Sequence, residues 1–279
     1  MHLDPETVKN IIKNALEEDI GSGDLTSRAI ISENASGYGE ILAKQSGILA
    51  GLPIAELVFR ELDPQIQWHP LKQDSDSIHL GDIVVKFQGN LRAILAAERT
   101  ALNLLQRMSG IASLTRQFID AVQGYSVKIL DTRKTAPGLR MLDKYAMRTG
   151  GGTNHRMGLH DAILVKENHI QAAGGIQNAV RSLLQQLPSS FRIEVEVCTQ
   201  NEVDEALAAG VNVLLLDNMS IPDMIEAVRK IHPNALVEAS GGVRLENVRE
   251  VATTGVDFIS VGALTHSVQA LDFSLEITA

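Results

Sequence analysis

Residues 193–217 read IEVEVCTQNEVDEALAAGVNVLLLD, and this stretch decides the fold. Its first five residues alternate, with Ile193, Val195 and Val197 on one face and Glu194 and Glu196 on the other. That is the two-residue period of a strand. Thr199-Gln200-Asn201-Glu202 then has capping-box spacing, and Gly210 stands where the helix it opens should stop. A second apolar run, Val213–Asp217, follows at once. Strand, helix and strand in so short a span predict a parallel sheet built of βα units.

The same rhythm extends in both directions. Strand-length apolar runs lie at Val127–Thr132, Ala162–Lys166, Leu236–Ser240 and Phe258–Gly262, with helical patterns between them. Ser220-Ile221-Pro222-Asp223 opens one such helix with a cap and an early proline. The runs end in Thr132 with Arg133-Lys134 behind it, in Lys166, Glu196, Asp217, Ser240-Gly241-Gly242 and Val261-Gly262. Each end is polar, charged or glycine. A parallel α/β barrel gathers all its strand C-termini on one face and places its site there, whereas a doubly wound sheet would use only a few of them. Six such ends favour the barrel, with the glycine-rich last two placed to bind phosphate.

Residues 1–108 read differently. An amphipathic helix over 5–18 ends near Gly21-Ser22-Gly23-Asp24, a turn and not a phosphate cradle, because no strand precedes it. Short strands at Tyr38–Lys44, Ile66–Leu71 and Ile83–Gln88 and a helix at Pro53–Leu62 predict a small α+β domain. A long helix over Leu91–Met108, striped by Leu91, Leu95, Leu102 and Leu105, is expected to close at Ser109-Gly110. The expected organisation is an α/β chain: an N-terminal α/β sandwich over residues 1–108 and a barrel over 109–267. Residues 268–279 are a C-terminal segment packing back on the first domain.

The chain carries 279 residues, 44% hydrophobic and 21% charged, with a net charge of −9. It can bury a sizeable core, and its acidity argues against nucleic acid or an anionic membrane as partner. No run of about 18 apolar residues spans a bilayer. The N-terminus has neither a basic nor an apolar leader segment, so a cytoplasmic protein is expected. One cysteine, Cys198, excludes an intrachain disulfide and reads as a small core residue. Against this background the window from Arg133 to His169 is anomalous, with seven Lys or Arg against three carboxylates. A cationic island on an anionic protein suits small, multiply charged anions. The run Gly150-Gly151-Gly152-Thr153-Asn154-His155-Arg156 would leave bare backbone beside those side chains.

Residue chemistry alone leaves roles open. Glu196 is a plausible carboxylate of the barrel mouth. Glu194 is a weaker candidate, because a carboxylate at depth needs a cationic partner. Asp217 could serve the site or cap the following turn. Lys134 and Lys166 could hold phosphate or form Schiff bases, and His155 could act chemically or brace the glycine loop. Arg99 looks like an ordinary helix arginine.

The motifs themselves resemble a family. Asp131-Thr132-Arg133-Lys134-Thr135-Ala136-Pro137-Gly138-Leu139-Arg140 resembles the signature of quinolinate phosphoribosyltransferases, the carboxylating nicotinate-nucleotide pyrophosphorylases. The likeness continues through Lys144-Tyr145-Ala146, Gly150–Arg156, Lys166–Ile170, Glu194–Val197, Leu216–Met219, Glu238–Gly242 and Ser260–Ser267. Glu18–Asp24 and Ala97–Asn103 extend it over the N-terminal part. One departure is Glu167, where the family more often has Asp.

The resemblance implies a homodimer, with further assembly left open, in which Arg99 reaches the neighbouring subunit's site. It implies that quinolinate and 5-phosphoribosyl 1-diphosphate give nicotinate mononucleotide, diphosphate and carbon dioxide, a step of NAD biosynthesis. Arg99, Arg133, His155 and Arg156 would then hold the dicarboxylate. Thr132, Lys134 and Lys166 would take phosphate or carboxylate oxygens. Lys134, Glu196 and Asp217 would serve the chemistry, and Ser240-Gly241-Gly242, Val261-Gly262-Ala263 and His266 would cradle the 5-phosphate. Mg²⁺ would arrive with the diphosphate, near Glu196 and Asp217, without a protein-only metal site. Competing readings are a molybdate-transport-associated relative of the same fold, a Schiff-base lyase using Lys134 or Lys166, and a non-catalytic phosphate-binding barrel.

Overall fold

A computed structural model describes residues 3–188 and 191–278. The chain begins with α1 (Pro5–Ile20), α2 (Leu25–Ile30), β1 (Ser36–Ala43), β2 (Gly47–Ile48), α3 (Leu52–Leu62), β3 (Gln67–Pro70), β4 (Ser77–Ile78), β5 (Ile83–Asn90) and α4 (Leu91–Ala121). Next come β6 (Lys128–Leu130), α5 (Arg140–Thr149), β7 (Ile163–Val165), α6 (Glu167–Ala173), α7 (Ile176–Gln186), β8 (Ile193–Val197) and α8 (Gln200–Ala208). It closes with β9 (Val213–Asp217), α9 (Ile221–Ile231), β10 (Leu236–Ser240), α10 (Val248–Thr253), β11 (Phe258–Ser260), α11 (Ala263–His266) and β12 (Phe273–Thr278). None of the described helices is long and apolar enough to cross a membrane.

Two compact units result. The first comprises the described residues up to Arg116, Thr135–Gly151, and those from Leu264 on. Its antiparallel sheet has the order β12-β1-β5-β3, so the C-terminal strand pairs with β1. Asp4 caps α1 by accepting from Thr7 N at 2.9 Å, and Pro5 supplies the pre-set first turn. Val8, Ile12 and Leu16, one turn apart, form its buried stripe. Phe59, Trp68 and Phe87 stack with centroids 4.8–5.4 Å apart, and burial of such a ring contributes roughly 1.5–3 kcal/mol.

Helix α4 does not stop at Ser109-Gly110 but continues to Ala121. The pair is there for packing. Ser109 Oγ bonds Ala50 N at 3.0 Å and Ala50 O at 3.2 Å. A Cβ on Gly110 would stand 2.2 Å from Gln269 O, so the glycine admits a close backbone approach inside a continuing helix. The buried stripe is Ile94, Ala97, Ala101, Leu105 and Met108, with Leu102 also buried and Leu91 and Leu95 half-buried at its margin.

The second unit comprises Gln117–Lys134 and Gly152–Ala263. Six parallel strands lie in the order β6-β11-β10-β9-β8-β7. The first strand thus pairs with the last, and each other strand with its sequence neighbour, which is the cyclic order of a barrel. No ladder joins β6 to β7. Beside β6 runs Thr153 instead, whose N–H donates to Ile129 O at 2.9 Å. Thr199 and Glu202 form the predicted capping box, and Ser220, not Asp217, caps α9.

Candidate active site

Strand β8 lies between β7 and β9, so the Glu194 and Glu196 face turns inward and not towards solvent at a sheet edge. The same parity brings Leu164 and Lys166, Leu215 and Asp217, Glu238 and Ser240, and Ser260 to the wall of one cavity of about 550 Å³. Glu196 pairs in register with Leu215, Leu215 with Glu238, and Asp217 with Ser240, so the wall is a stagger of successive strand positions.

Four cations face this cavity: Arg133, Lys134, Arg156 and Lys166. Thr132 Oγ1 accepts from Lys134 N at 3.1 Å and shapes the turn between them. Burial and then the charge of Arg133 lower the proton affinity of Arg156, so the two guanidinium groups feel each other. Like charges placed together in a partly dry pocket suit an anionic ligand. Lys166 Nζ is 3.2 Å from Glu196 Oε2, and Asn218 Nδ2 donates to Asp217 Oδ2 at 2.8 Å.

The glycine loop after β10 also lines the cavity. Gly241 has φ of +92° and Gly242 of +61°. A Cβ on Gly241 would lie 2.3 Å from Asn218 Oδ1 and 2.8 Å from Asn218 N. Conformation and space both demand glycine there. In the run Gly150–Gly152, a Cβ on Gly150 would meet Ala112 O at 2.4 Å, so this glycine serves helix packing.

Below Arg156 lies a cluster that the sequence reading weighed only in part. His155 Nε2 stands 3.3 Å from Glu194 Oε2 and 3.5 Å from Glu238 Oε2. Glu238 is held in turn by the Ser260 hydroxyl. Asp131, fully buried at the end of β6, accepts from His155 N at 2.8 Å and Asn154 Nδ2 at 2.6 Å. Burial disfavours the charged ring, and Arg156 N, 2.7 Å from Nδ1, favours the neutral one. The hydrogen bonds and charges of two carboxylates outweigh both and hold the His155 pKa up at about 10. Burial raises Glu194 to about 7, against the opposing pull of His155, and Glu238's charge adds to the rise. The three side chains offer ligand atoms within 4.8 Å of one another. Glu238 and Ser260 were legible by counting two residues back from the chosen strand ends Ser240 and Gly262.

Of the remaining predicted residues, Val261 is buried and donates to Leu130 O at 3.0 Å, and Gly262 leads into α11 at Ala263. None of the three lines the cavity. His266 ends α11, with Nδ1 2.7 Å from Ser267 Oγ, and belongs to the first unit. Arg99 also belongs to the first unit, on α4, with its side chain 61% exposed. Cys198 is exposed and not in the core: it lies one residue past β8, where Glu202 Oε2 accepts its N–H at 2.7 Å.

Residues 24–109 match the quinolinate phosphoribosyl transferase N-terminal domain, and residues 111–276 match the C-terminal domain of the same family. The chain belongs to the quinolinate phosphoribosyltransferase family. It is 45% identical over 272 residues to a probable nicotinate-nucleotide pyrophosphorylase [carboxylating] of Bacillus subtilis, covering 97% of this chain and 93% of that one. A mitochondrial quinolinate phosphoribosyltransferase [decarboxylating] of Nicotiana tabacum is 45% identical over 289 residues, with 97% and 82% covered. NadC from Streptococcus pyogenes superposes with a TM-score of 0.95 at 38% identity, over 100% of this chain and 99% of that one. This family's two-domain fold, an antiparallel-sheet domain and a parallel α/β barrel, is the one described above.

Proposed function

We propose that this chain transfers the phosphoribosyl group of 5-phosphoribosyl 1-diphosphate to quinolinate with decarboxylation, releasing nicotinate mononucleotide, carbon dioxide and diphosphate. The observation that carries this reading is the placing of Arg133 and Arg156 together in a cavity that carboxylates and a glycine loop also line. Adjacent carboxylates on a rigid ring offer each guanidinium a planar partner. Lys134 and Lys166 neutralise further substrate oxygens, and Ser240-Gly241-Gly242 receives the 5-phosphate.

As the ring nitrogen bonds the anomeric carbon, the carbon–oxygen bond to diphosphate breaks and its electron pair leaves with the diphosphate. Glu196 and Asp217 stabilise the positive character this step places on the sugar. The carbon–carboxylate bond then breaks, and the quaternised nitrogen next to it stabilises the electron pair left behind until a proton takes its place. A burst of carbon dioxide ahead of diphosphate would overturn that order. Glu196 and Asp217 are hard oxygen donors open to the cavity and fit Mg²⁺ carried by the diphosphate, where the ion offsets the leaving group's charge.

The proposal includes a cytoplasmic homodimer in which the exposed Arg99 completes the partner's site. Mixing Arg99→Ala with Glu196→Gln protein would then restore about a quarter of the sites, since one site of each mixed dimer keeps both groups. Incubation with Mg²⁺, phosphoribosyl diphosphate and carboxyl-labelled quinolinate tests the reaction itself. Labelled carbon dioxide and nicotinate mononucleotide should appear in equal amounts, and neither with Arg133→Ala. A folded protein that binds phosphoribosyl diphosphate and releases no label would refute quinolinate as the substrate.

A further inference from the structure

We propose that Glu194 and Glu238 are positioning residues of this reaction, a buried carboxylate pair that fixes His155 and through it the aim of Arg156 on the dicarboxylate substrate. The inference rests on the substrate assigned above. Glu194 comes from β8 and Glu238 from β10, and both reach across β9 to one imidazole nitrogen, at 3.3 and 3.5 Å. Both are buried, at 8% and 2% exposure. Two acids at such depth carry a large desolvation cost and repel the substrate's own carboxylates, unless a cation sits between them and the ligand. His155 occupies that place, with Nδ1 accepting from Arg156 N at 2.7 Å and Nε2 facing both carboxylates.

The arrangement around the ring is directional. Asp131 holds the backbone N–H of His155, and the glutamates hold Nε2 from below. The opposite ring nitrogen abuts the Arg156 amide at 2.7 Å, so a displaced ring displaces the Arg156 backbone. Arg156 Nη1 reaches Ala162 O at only 3.3 Å, a weak tether, which leaves the guanidinium's direction to its backbone. The other oxygens of the pair differ. Ser260 holds Glu238, while Glu194 Oε1 is buried with no hydrogen-bond partner in the protein. An unsatisfied buried oxygen is a standing cost, and persists where the geometry serves the site. Partners that orient metal-binding side chains typically matter by about 10–100-fold, and an effect of the same order is expected where the oriented group is Arg156.

The test compares Glu194→Gln, Glu238→Gln and the double Gln variant, with thermal unfolding as the folding control. Either single change leaves one carboxylate on the ring and should alter the quinolinate KM by less than about threefold; the double change should raise it about tenfold or more. The KM for phosphoribosyl diphosphate should stay within about twofold, because the pair acts through His155 and Arg156, which are assigned to the dicarboxylate. Calorimetric titration with phthalate, which carries the same adjacent carboxylates without the ring nitrogen, should weaken in parallel and needs no turnover. A folded double variant with unchanged quinolinate KM and phthalate affinity overturns the proposal, as does an equal rise in both KM values. If wild type itself releases no carbon dioxide, the substrate assignment fails, and the phthalate titration still decides whether the pair directs the anion site.

Discussion

Each unit of this chain buries a charged cluster, and the two are built to opposite rules. In the first, Asp143 is fully buried and accepts Arg107 Nε and Nη2, both at 2.8 Å, together with Ala136 N at 3.1 Å. One cation meets one anion in bidentate geometry, and each carboxylate oxygen has a partner. In the second, two carboxylates share one imidazole nitrogen and a carboxylate oxygen is left over. The first cluster is balanced. The second is strained in charge and lies against the cavity. A buried ion pair says little about function by itself; the imbalance does.

Truncating one partner in each cluster should separate the two most clearly. Asp143→Ala leaves Arg107 without its carboxylate and should cost about 3–5 kcal/mol, read as a lower denaturant midpoint. His155→Ala should cost more at pH 6 than at pH 8, because the proton that stabilises the folded ring is fully bound below about pH 6.5 and lost towards pH 10. If both truncations cost the same at both pH values, the clusters do not differ in kind.

Next in size is an effect on turnover. Glu196→Gln should lower kcat about a hundredfold or more while phosphoribosyl diphosphate still binds, since the carboxylate works on charge that develops only in the transition state. Asp143→Ala, by contrast, should leave the kcat of whatever protein remains folded within a few fold. Gly241→Ala should act between these extremes. At φ of +92° and with Asn218 N 2.8 Å from the new Cβ, the loop must shift, raising the KM for phosphoribosyl diphosphate and leaving quinolinate affinity unchanged.

Much of this was legible in sequence, for identifiable reasons. The barrel follows from runs such as Ile193–Val197 and Val213–Asp217, whose bounds the structure reproduces residue for residue. Arg133, Lys166 and Asp217 were visible because barrel geometry promotes strand ends to the site. Period-two patterning could also have found Glu238 and Ser260, but they sit inside apolar strands where a polar residue reads as an exception. One reading failed for a clear reason: Gly110 looks like a breaker, yet it is glycine because another backbone passes within van der Waals reach. Such tertiary approaches leave no periodic signal. Cys198 was misplaced because hydrophobicity, and not position relative to the strand end, was used to bury it.

The smallest expected effect is on the pH dependence of stability, and it isolates the second cluster. Two carboxylates raise the His155 pKa from 6.5 to about 10, with burial opposing them. The folded chain therefore binds this proton more tightly than the unfolded chain does. The resulting stabilisation is complete below about pH 6.5 and is lost progressively as pH climbs towards 10. Wild-type Tm should fall across that window, and His155→Asn should remove that component of the slope. Asp143→Ala should keep the slope at lower Tm, because it leaves His155 and its two carboxylates in place. A His155→Asn profile parallel to wild type would mean that the ring is not the group that neutralises Glu194 and Glu238, and the charge argument for the second cluster would fall with it.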